Sequence, residues 1–509
     1  MIRARYPLIY LLSPEEEPAE ELLVRVADRT DPARQLYIWD LVKGWEDTGE
    51  DRGSVMGALG RVARAATEED AIFILRDLHF VLRQANTEKN APVIRELKNL
   101  SRSLKRSRKL LVLLSHTLEV PTDLAEDITI IDIPLPSTEE INRLIDLYIA
   151  PDKLKLGSLL AREQLVKACQ GLSRERIRRV LARALAAKQC VTEADIDLVL
   201  EEKKQAIRQT GILEFFTARA SLKSVGGLDN LKQWVRVRQE AFTEEARRYG
   251  LPNPKGILLV GIQGTGKSLS AKTIANEWRL PLLRLDAGRL FAGIVGESES
   301  RVRQMIQLSE AMAPCVLWID EIDKAFGNIT SGADGDSGTS RRVFGSLITW
   351  MQEKTSPVFI VATANNVPLL PPELLRKGRF DEIFFLNLPT EKERKDIFRV
   401  HLQRIRPNRV REFNLDALAQ TAVNFSGAEI EQVIIDAMYQ AFGGSGSGIR
   451  RDFENQDVLQ AISDTVPLAT IAREQIEELK CWAAQAGART ASLDAVVLDE
   501  MRQCLISPP

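Results

Sequence analysis

Ile257-Leu258-Leu259-Val260-Gly261-Ile262-Gln263-Gly264-Thr265-Gly266-Lys267-Ser268-Leu269 is the stretch on which the reading of this chain turns. Residues 257–260 form a short apolar run with the look of a buried strand, and from Leu269 to Trp278 the pattern is helical, so the glycines fall between a strand and a helix. Their spacing is G-x-x-x-x-G-K-[ST], in which glycines let backbone N–H groups close on phosphate oxygens at a helix N-terminus. Gly261, Gly264, Thr265, Gly266, Lys267, Ser268 and Leu269 then make a phosphate cradle. Lys267 reaches the β/γ-phosphates of a nucleotide, and the Ser268 hydroxyl holds Mg2+.

Two more apolar runs end in groups that suit such a cradle. Cys315-Val-Leu-Trp-Ile319 is followed by Asp320 and Glu321. Carboxylates at the C-terminal end of a parallel strand, beside a phosphate loop, suit Mg2+ coordination by Asp320 and activation of an attacking water by Glu321. Val358-Phe-Ile-Val-Ala-Thr-Ala364 ends in Asn365, a neutral donor able to orient that water or touch the γ-phosphate.

Together with Val225-Gly226-Gly227-Leu228, Leu374-Leu-Arg376-Lys-Gly-Arg379-Phe-Asp381 and Phe425-Ser-Gly427-Ala428-Glu429, these motifs resemble the AAA+ ATPases, within them the AAA clade proper, over roughly residues 222–465. The whole chain looks most like AAA ATPases encoded by a hypothetical chloroplast reading frame of cyanobacteria and algal plastids. The resemblance implies ATP and Mg2+ as cofactors and ATP hydrolysis as the activity. Gly226, Gly227, Gly427 and Ala428 become part of the nucleotide site and Asn365 the sensor. Arg376 and Arg379 become fingers that reach from one subunit into the nucleotide of the next, so a homo-oligomer, a ring of six copies, is implied, with a protein partner to remodel or regulate. A link to photosynthetic carbon regulation comes with the plastid-type resemblance alone.

The first half carries a degraded copy of the same layout. Pro136-Ser-Thr-Glu139 is followed by Ser173 at the distance that separates Pro389-Thr-Glu391 from Ser426, and the apolar positions after each serine have identical offsets: Ile177, Val180, Leu181, Ala184, Leu185 against Ile430, Val433, Ile434, Ala437, Met438. Aligned upstream, Leu118 takes the place of Asn365, Asp77 is the one carboxylate where the acid pair belongs, the finger segment is missing, and Glu15-Glu16-Glu17 stand as a solvated helix start where the phosphate loop belongs. The fold expected is therefore α/β: tandem P-loop AAA+ modules, each a parallel sheet flanked by helices and followed by a helical lid. Residues 1–200 form the degenerate module without nucleotide motifs, 201–224 a linker, 225–388 the ATPase core, 389–482 its lid and 483–509 a tail. Gly443–Gly448 and Ser331–Thr339 read as mobile loops.

Composition narrows the function classes. Of 509 residues 44% are hydrophobic and 28% charged, which a globular chain of several domains requires. The net charge of -2 supplies no field for nucleic acid, so a nucleic-acid partner is not expected. Five dispersed cysteines and three isolated histidines indicate neither a disulfide framework nor a zinc site, and a reducing compartment, cytoplasm or plastid stroma, fits. No apolar run is long enough to span a membrane. Where threading relatives present an aromatic ring to the channel, this chain has Ile294 or Val295, which gives weaker grip. An ATP-driven remodeller of a protein partner and a slow nucleotide-switched scaffold, its dead N-terminal module recruiting the partner, are the two readings.

Overall fold

The computed structural model describes residues 6–65, 70–85, 87–156, 159–216, 222–288, 297–324, 337–376, 378–443 and 451–493. The Ile294/Val295 position and residues 331–336 and 444–448 of the two glycine-rich loops lie outside them. The chain divides into two compact units, Met1–Lys203 and Lys204–Pro509.

The first unit holds β1 (Leu8–Leu12), β2 (Gln35–Asp40), β3 (Gly44–Trp45), β4 (Ala71–Arg76), β5 (Leu110–Ser115) and β6 (Thr129–Asp132), in the sheet order β3-β2-β4-β5-β1-β6. All neighbours are parallel except β3, an antiparallel edge. Its central strands β1, β4 and β5 are apolar up to the terminal Arg76 and Ser115 because both faces are covered. Leu8, Tyr10, Phe73, Leu111 and Leu113 pack into one cluster, and the alternate residues Ile9, Leu11, Ile72, Ile74 and Val112 into another. A two-stranded ribbon, β7 (Leu154–Lys155) with β8 (Val191–Thr192), lies among helices Thr138–Tyr148, Leu159–Cys169 and Arg174–Lys188.

In the second unit β9 (Leu213–Phe216), β10 (Gly256–Gly261), β11 (Leu282–Asp286), β12 (Cys315–Asp320), β13 (Val358–Ala364), β14 (Glu382–Leu386) and β15 (Arg489–Thr490) take the order β15-β14-β10-β13-β12-β11-β9, parallel except at β9. Helices Glu391–Ile405, Leu415–Thr421, Gly427–Gly443 and Asn455–Asp464 follow as a lid with its own core around Phe398, Ile430, Val433 and Phe453.

The repeat is therefore a repeat of topology. Leaving aside the edge strands β3, β9 and β15, the order β2-β4-β5-β1-β6 has its counterpart in β11-β12-β13-β10-β14. Lid helices also correspond: Ser137 and Thr390 each cap one, Ser173 caps the helix that matches Gly427–Gly443, and Ile177, Val180, Leu181 and Ala184 are buried like Ile430, Val433, Ile434 and Ala437.

The ladders correct the sequence alignment at one point. A left-handed residue follows β4 and β12 alike, Asp77 at φ 56° and Glu321 at φ 49°. With these matched, Arg76, opposite Leu114, falls on Asp320, which continues the register that sets Ile319 opposite Ala362. His116, two residues after Leu114, then stands where Asn365 stands, not Leu118. Three further expectations change. The stretch 201–224 is no open linker, since helix Ile196–Thr210 runs into it and β9 pairs with β11. The segment after 482 is not only a tail, because β15 extends the sheet beside β14 and Ala491 N–H donates to Phe385 O. Cys481 is disulfide-bonded, while Cys169, Cys190 and Cys315 are free.

Candidate nucleotide site

β10 has β13 on one side and β14 on the other, so the sheet order reverses at β10, and the glycine loop leaves its C-terminal end at that point. Ligands of parallel α/β sheets sit in the crevice made there. Gly264 and Gly266 have φ of 84° and 94°, the left-handed region that glycine enters without cost. The buried Thr265 folds its hydroxyl onto Ile262 O at 2.8 Å. Lys267 opens helix Lys267–Glu277 and is itself buried; its Nζ donates to Gly261 O and Ile262 O, both at 2.6 Å. Burial pushes this ammonium down to about 8, against the pull of Asp323, Glu321 and Asp320. Ser268 and Leu269 are exposed on the first turn.

The acidic corner lies across the same edge. Asp320 Oδ1 accepts from Thr363 Oγ1 at 3.0 Å, and Asp320 Oδ2 from Arg284 Nη2 at 2.8 Å. Thr363 Oγ1 in turn accepts Glu321 N–H at 2.9 Å. Glu321 Oε1 accepts from Asn365 Nδ2 at 3.1 Å, and its other oxygen pairs with Lys324 Nζ at 2.6 Å. Asp323 is buried, accepts Asn366 N–H at 2.9 Å, and has its carboxyl pushed up by burial; its Oδ1 finds no hydrogen bond among the described residues.

The lid closes on the loop directly. Ala428 N–H donates to Gly264 O at 3.2 Å, and a Cβ on Gly264 would come within 2.7 Å of Ser426 Oγ. Ser426 and Glu429 bond reciprocally, Ser426 N–H donating to Glu429 Oε2 at 2.7 Å and Glu429 N–H to Ser426 Oγ at 3.4 Å, a capping box whose S-x-x-E pattern is present in the sequence. Gly226 and Gly427 both lie against Ile397 of the lid, and Gly227 is pressed on Glu393, whose Oε1 accepts Leu228 N–H at 3.1 Å.

Arg376 and Arg379 are not brought to this edge. Arg376 is exposed at the end of the short helix Pro372–Leu375. Arg379 Nη2 donates to Gln352 Oε1 at 3.3 Å, near the end of helix Ser337–Glu353, and the adjoining Gly378 O accepts Lys255 Nζ at 2.8 Å, which ties this segment to the N-terminal end of β10. Six strand residues, about 17–20 Å, separate that end from the glycine loop.

Thr363, Arg284, Asp323 and Lys324 were missed by motif reading. Thr363 and Arg284 had a faint signal, a polar residue flanked by apolar ones in each of two strand runs; nothing in the sequence says that they meet at Asp320.

The first unit treats the equivalent corner differently. Four residues lead from Leu12 to the helix start at Glu16, where seven lead from Val260 to Lys267. Glu15 is not a solvated helix residue, as Glu16 and Glu17 are, but buried. Its Oε1 accepts Glu175 N–H at 3.0 Å, and its Oε2 pairs with Arg174 Nη1 at 3.0 Å. Arg174 also forks onto Glu140, at 2.7 Å and 3.1 Å. Glu175 stands two residues after its capping serine, as Ala428 does, so the lid N–H that meets a loop carbonyl in the second unit meets a carboxylate in the first.

Residues 257–388 match the family described as "ATPase family associated with various cellular activities (AAA)"; residues 1–133 and 139–210 match "SpoVK-like AAA ATPase, N-terminal domain" and "SpoVK-like AAA ATPase, second domain". The chain is 46% identical over 496 residues to "Uncharacterized AAA domain-containing protein ycf46" of Trieres chinensis, covering 97% of both. To the protein of the same description in Pyropia yezoensis it is 44% identical over 497 residues, covering 97% of this chain and 98% of the other. This chain belongs to the ycf46 type of AAA domain-containing proteins. More distantly, this AAA protein is 30% identical over 335 residues to "Cell division cycle protein 48 homolog" of Archaeoglobus fulgidus, 63% of this chain and 42% of that one. The tandem architecture is thus that of an AAA ATPase with a SpoVK-like N-terminal half. Among the described residues no helix is long and apolar enough to cross a membrane.

Proposed function

We propose that this chain is a Mg2+-dependent ATP hydrolase of the AAA+ type that couples ATP binding and hydrolysis to remodelling or regulation of a protein partner. The observation that carries the proposal is the convergence on one sheet edge of a buried lysine in a glycine loop, the Asp320–Glu321 pair and a lid N-terminus resting on the loop. Gly261, Gly264, Thr265, Gly266, Ser268 and Leu269 cradle the phosphates, and Lys267 turns its ammonium from Gly261 O and Ile262 O to the β/γ-oxygens. Gly226, Gly227, Gly427 and Ala428 border the seat of the base, Gly226 and Gly427 packed against Ile397.

The donor set suits Mg2+: a hydroxyl at Ser268 and the strand-end carboxylate of Asp320 supply hard oxygen ligands beside the phosphates. The ion supplies charge neutralisation on the phosphate oxygens. Glu321 takes the proton of the attacking water, and Asn365, already on Glu321 Oε1, orients carboxylate and water. Thr363 acts as a positioning residue, because one hydroxyl spans Asp320 Oδ1 and Glu321 N–H. Arg379 is anchored a strand length from its own loop, so as a finger it serves the site of another copy, with Arg376 beside it. A closed homo-oligomer, a hexameric ring, follows. Residues 1–200 are the nucleotide-free module, with Glu15 and Arg174 filling the seat, 225–388 the ATPase core and 389–482 its lid; cytoplasm or plastid stroma is the compartment and photosynthetic carbon regulation the candidate pathway.

The test is Glu321→Gln. Affinity for ATP is retained and turnover stops, since the carboxylate acts on water and not on the nucleotide; loss of ATP affinity in this variant, measured by titration calorimetry, contradicts the assignment. The same variant, holding ATP, is the bait for the partner. The filled seat of the first module favours the second reading, a slow switch in which that module recruits the partner. Under it, nucleotide changes assembly and partner protein leaves turnover unchanged.

A further inference from the structure

The three histidines are isolated in sequence, yet the fold gathers two of them with a carboxylate. Asp77 directly follows β4, His79 opens the helix His79–Arg83, and His116 directly follows β5. Asp77 Oδ1 lies 3.6 Å from His79 Nδ1 and 3.8 Å from His116 Nδ1, and one ligand atom from each of the three lies within 4.8 Å of the other two. The two imidazoles meet edge to face with centroids 4.8 Å apart. His79 is held in place: it is buried, its ring packs on Phe80 with centroids 4.0 Å apart, and its Nδ1 is 2.8 Å from Ser115 Oγ. Asp77 and His116 are exposed, free to turn toward a guest.

The register gives this cluster a second, independent meaning. Asp77 occupies the position of Glu321, left-handed backbone included, and His116 that of Asn365; His79, two residues after Asp77, occupies that of Asp323. In the second unit this corner is an oxygen-rich acid and amide set. In the first, the phosphate loop is gone and the corner has exchanged one carboxylate and the amide for two imidazoles. Oxygen-only sets suit Mg2+ and Ca2+, whereas two imidazoles with one carboxylate suit first-row transition metals.

We propose that Asp77, His79 and His116 form a binding site for one divalent transition-metal ion of the zinc class. Ligand bonds of about 2.1 Å in tetrahedral geometry place ligand atoms roughly 3.4 Å apart. The separations from Asp77, 3.6 and 3.8 Å, exceed that by a few tenths of an ångström and the widest in the cluster, 4.8 Å, by more than an ångström, a gap that rotation of the exposed Asp77 and His116 closes. Coordination displaces the Ser115 hydroxyl from His79 Nδ1, and the fourth position faces solvent, open to water or to a donor group of a partner. Such an ion joins the ends of β4 and β5 at the corner where the other module keeps its nucleotide chemistry.

The experiment uses the full-length chain, freed of metal with a chelator and titrated with Co2+ alone, Zn2+ alone or Mg2+ alone. Expected are one equivalent of Co2+ with the visible bands of a nitrogen- and oxygen-ligated ion, displacement of that ion by Zn2+, and no competition from Mg2+. His116→Ala and Asp77→Asn, both at exposed positions, each weaken Co2+ binding about tenfold or more, with thermal unfolding of the metal-free protein unchanged. Absence of stoichiometric binding, binding unaltered in both variants, or a thiolate charge-transfer band that places the ion on cysteine overturns the proposal.

Discussion

Lys267 sits nearly dry, and its cost is measurable in the nucleotide-free protein. An ordinary lysine titrates at 10.5; burial brings this one down to about 8. At about 1.4 kcal/mol per pH unit, keeping it charged at pH 7 costs the folded state about 3–3.5 kcal/mol. Replacing it by methionine, a side chain of similar length, removes that cost but also the bonds to Gly261 O and Ile262 O, worth about 1 kcal/mol each. Lys267→Met is therefore expected to be more stable than the parent by about 1 kcal/mol at pH 7, while losing ATP binding altogether. Between pH 8 and 10.5 the unfolded lysine holds its proton and the folded one does not, so parental stability rises with pH through that window. The advantage of the variant accordingly shrinks by about 2 kcal/mol on going to pH 10, and changes sign. Urea unfolding of both proteins at pH 7 and 10, followed by tryptophan emission, measures it, five of the seven tryptophans being in the second unit. A variant less stable than the parent by the same margin at both pH values refutes the reasoning.

Arg379→Ala is expected to lower turnover by on the order of 10³ with nucleotide affinity within a few-fold, and parental turnover to depend on protein concentration; full activity in a strictly monomeric protein counts against a finger in trans. Thr363→Val removes one hydroxyl and keeps the strand, so kcat falls about tenfold or more, as expected of a group that holds Asp320 and Glu321 in place, while ATP affinity measured by calorimetry stays near parental. Glu15→Ala takes the acceptor from Glu175 N–H and one of two carboxylates from Arg174, which keeps Glu140, and is expected to cost about 1–2 kcal/mol in the first unit, read as faster amide exchange along helix Arg174–Lys188, with no ATP affinity gained there.

Much of the second unit was legible because its signals are local. The strand-loop-helix run at 257–278, the acids after 319 and the Ser426–Glu429 box are each decided within one short continuous stretch, by periodicity, glycine backbone freedom and capping. The same locality exposed the repeat, since both lid helices bury the same offsets. The alignment of His116 failed for a definite reason. A strand shifted by two residues keeps every side chain on its own face, and Leu110–Leu114 is apolar throughout, so no pattern separates the registers; the ladder with β4 does. Edge strands β9 and β15 escaped because four and two residues carry too little pattern, and their pairing energy comes from a partner distant in sequence.

By itself, then, the sequence determined the fold class, the glycine loop between strand and helix, the acid pair at a strand end and the doubling of the architecture. Which charges face one another was decided only by tertiary structure: Thr363 between Asp320 and Glu321, Arg284 on Asp320, Arg174 on Glu15 across 159 residues, Asp77 between two histidines, and Arg379 at the sheet end opposite its own loop. Hydrogen bonds and ion pairs act over about 3 Å, and only the packed sheet brings side chains from separate strands within that reach.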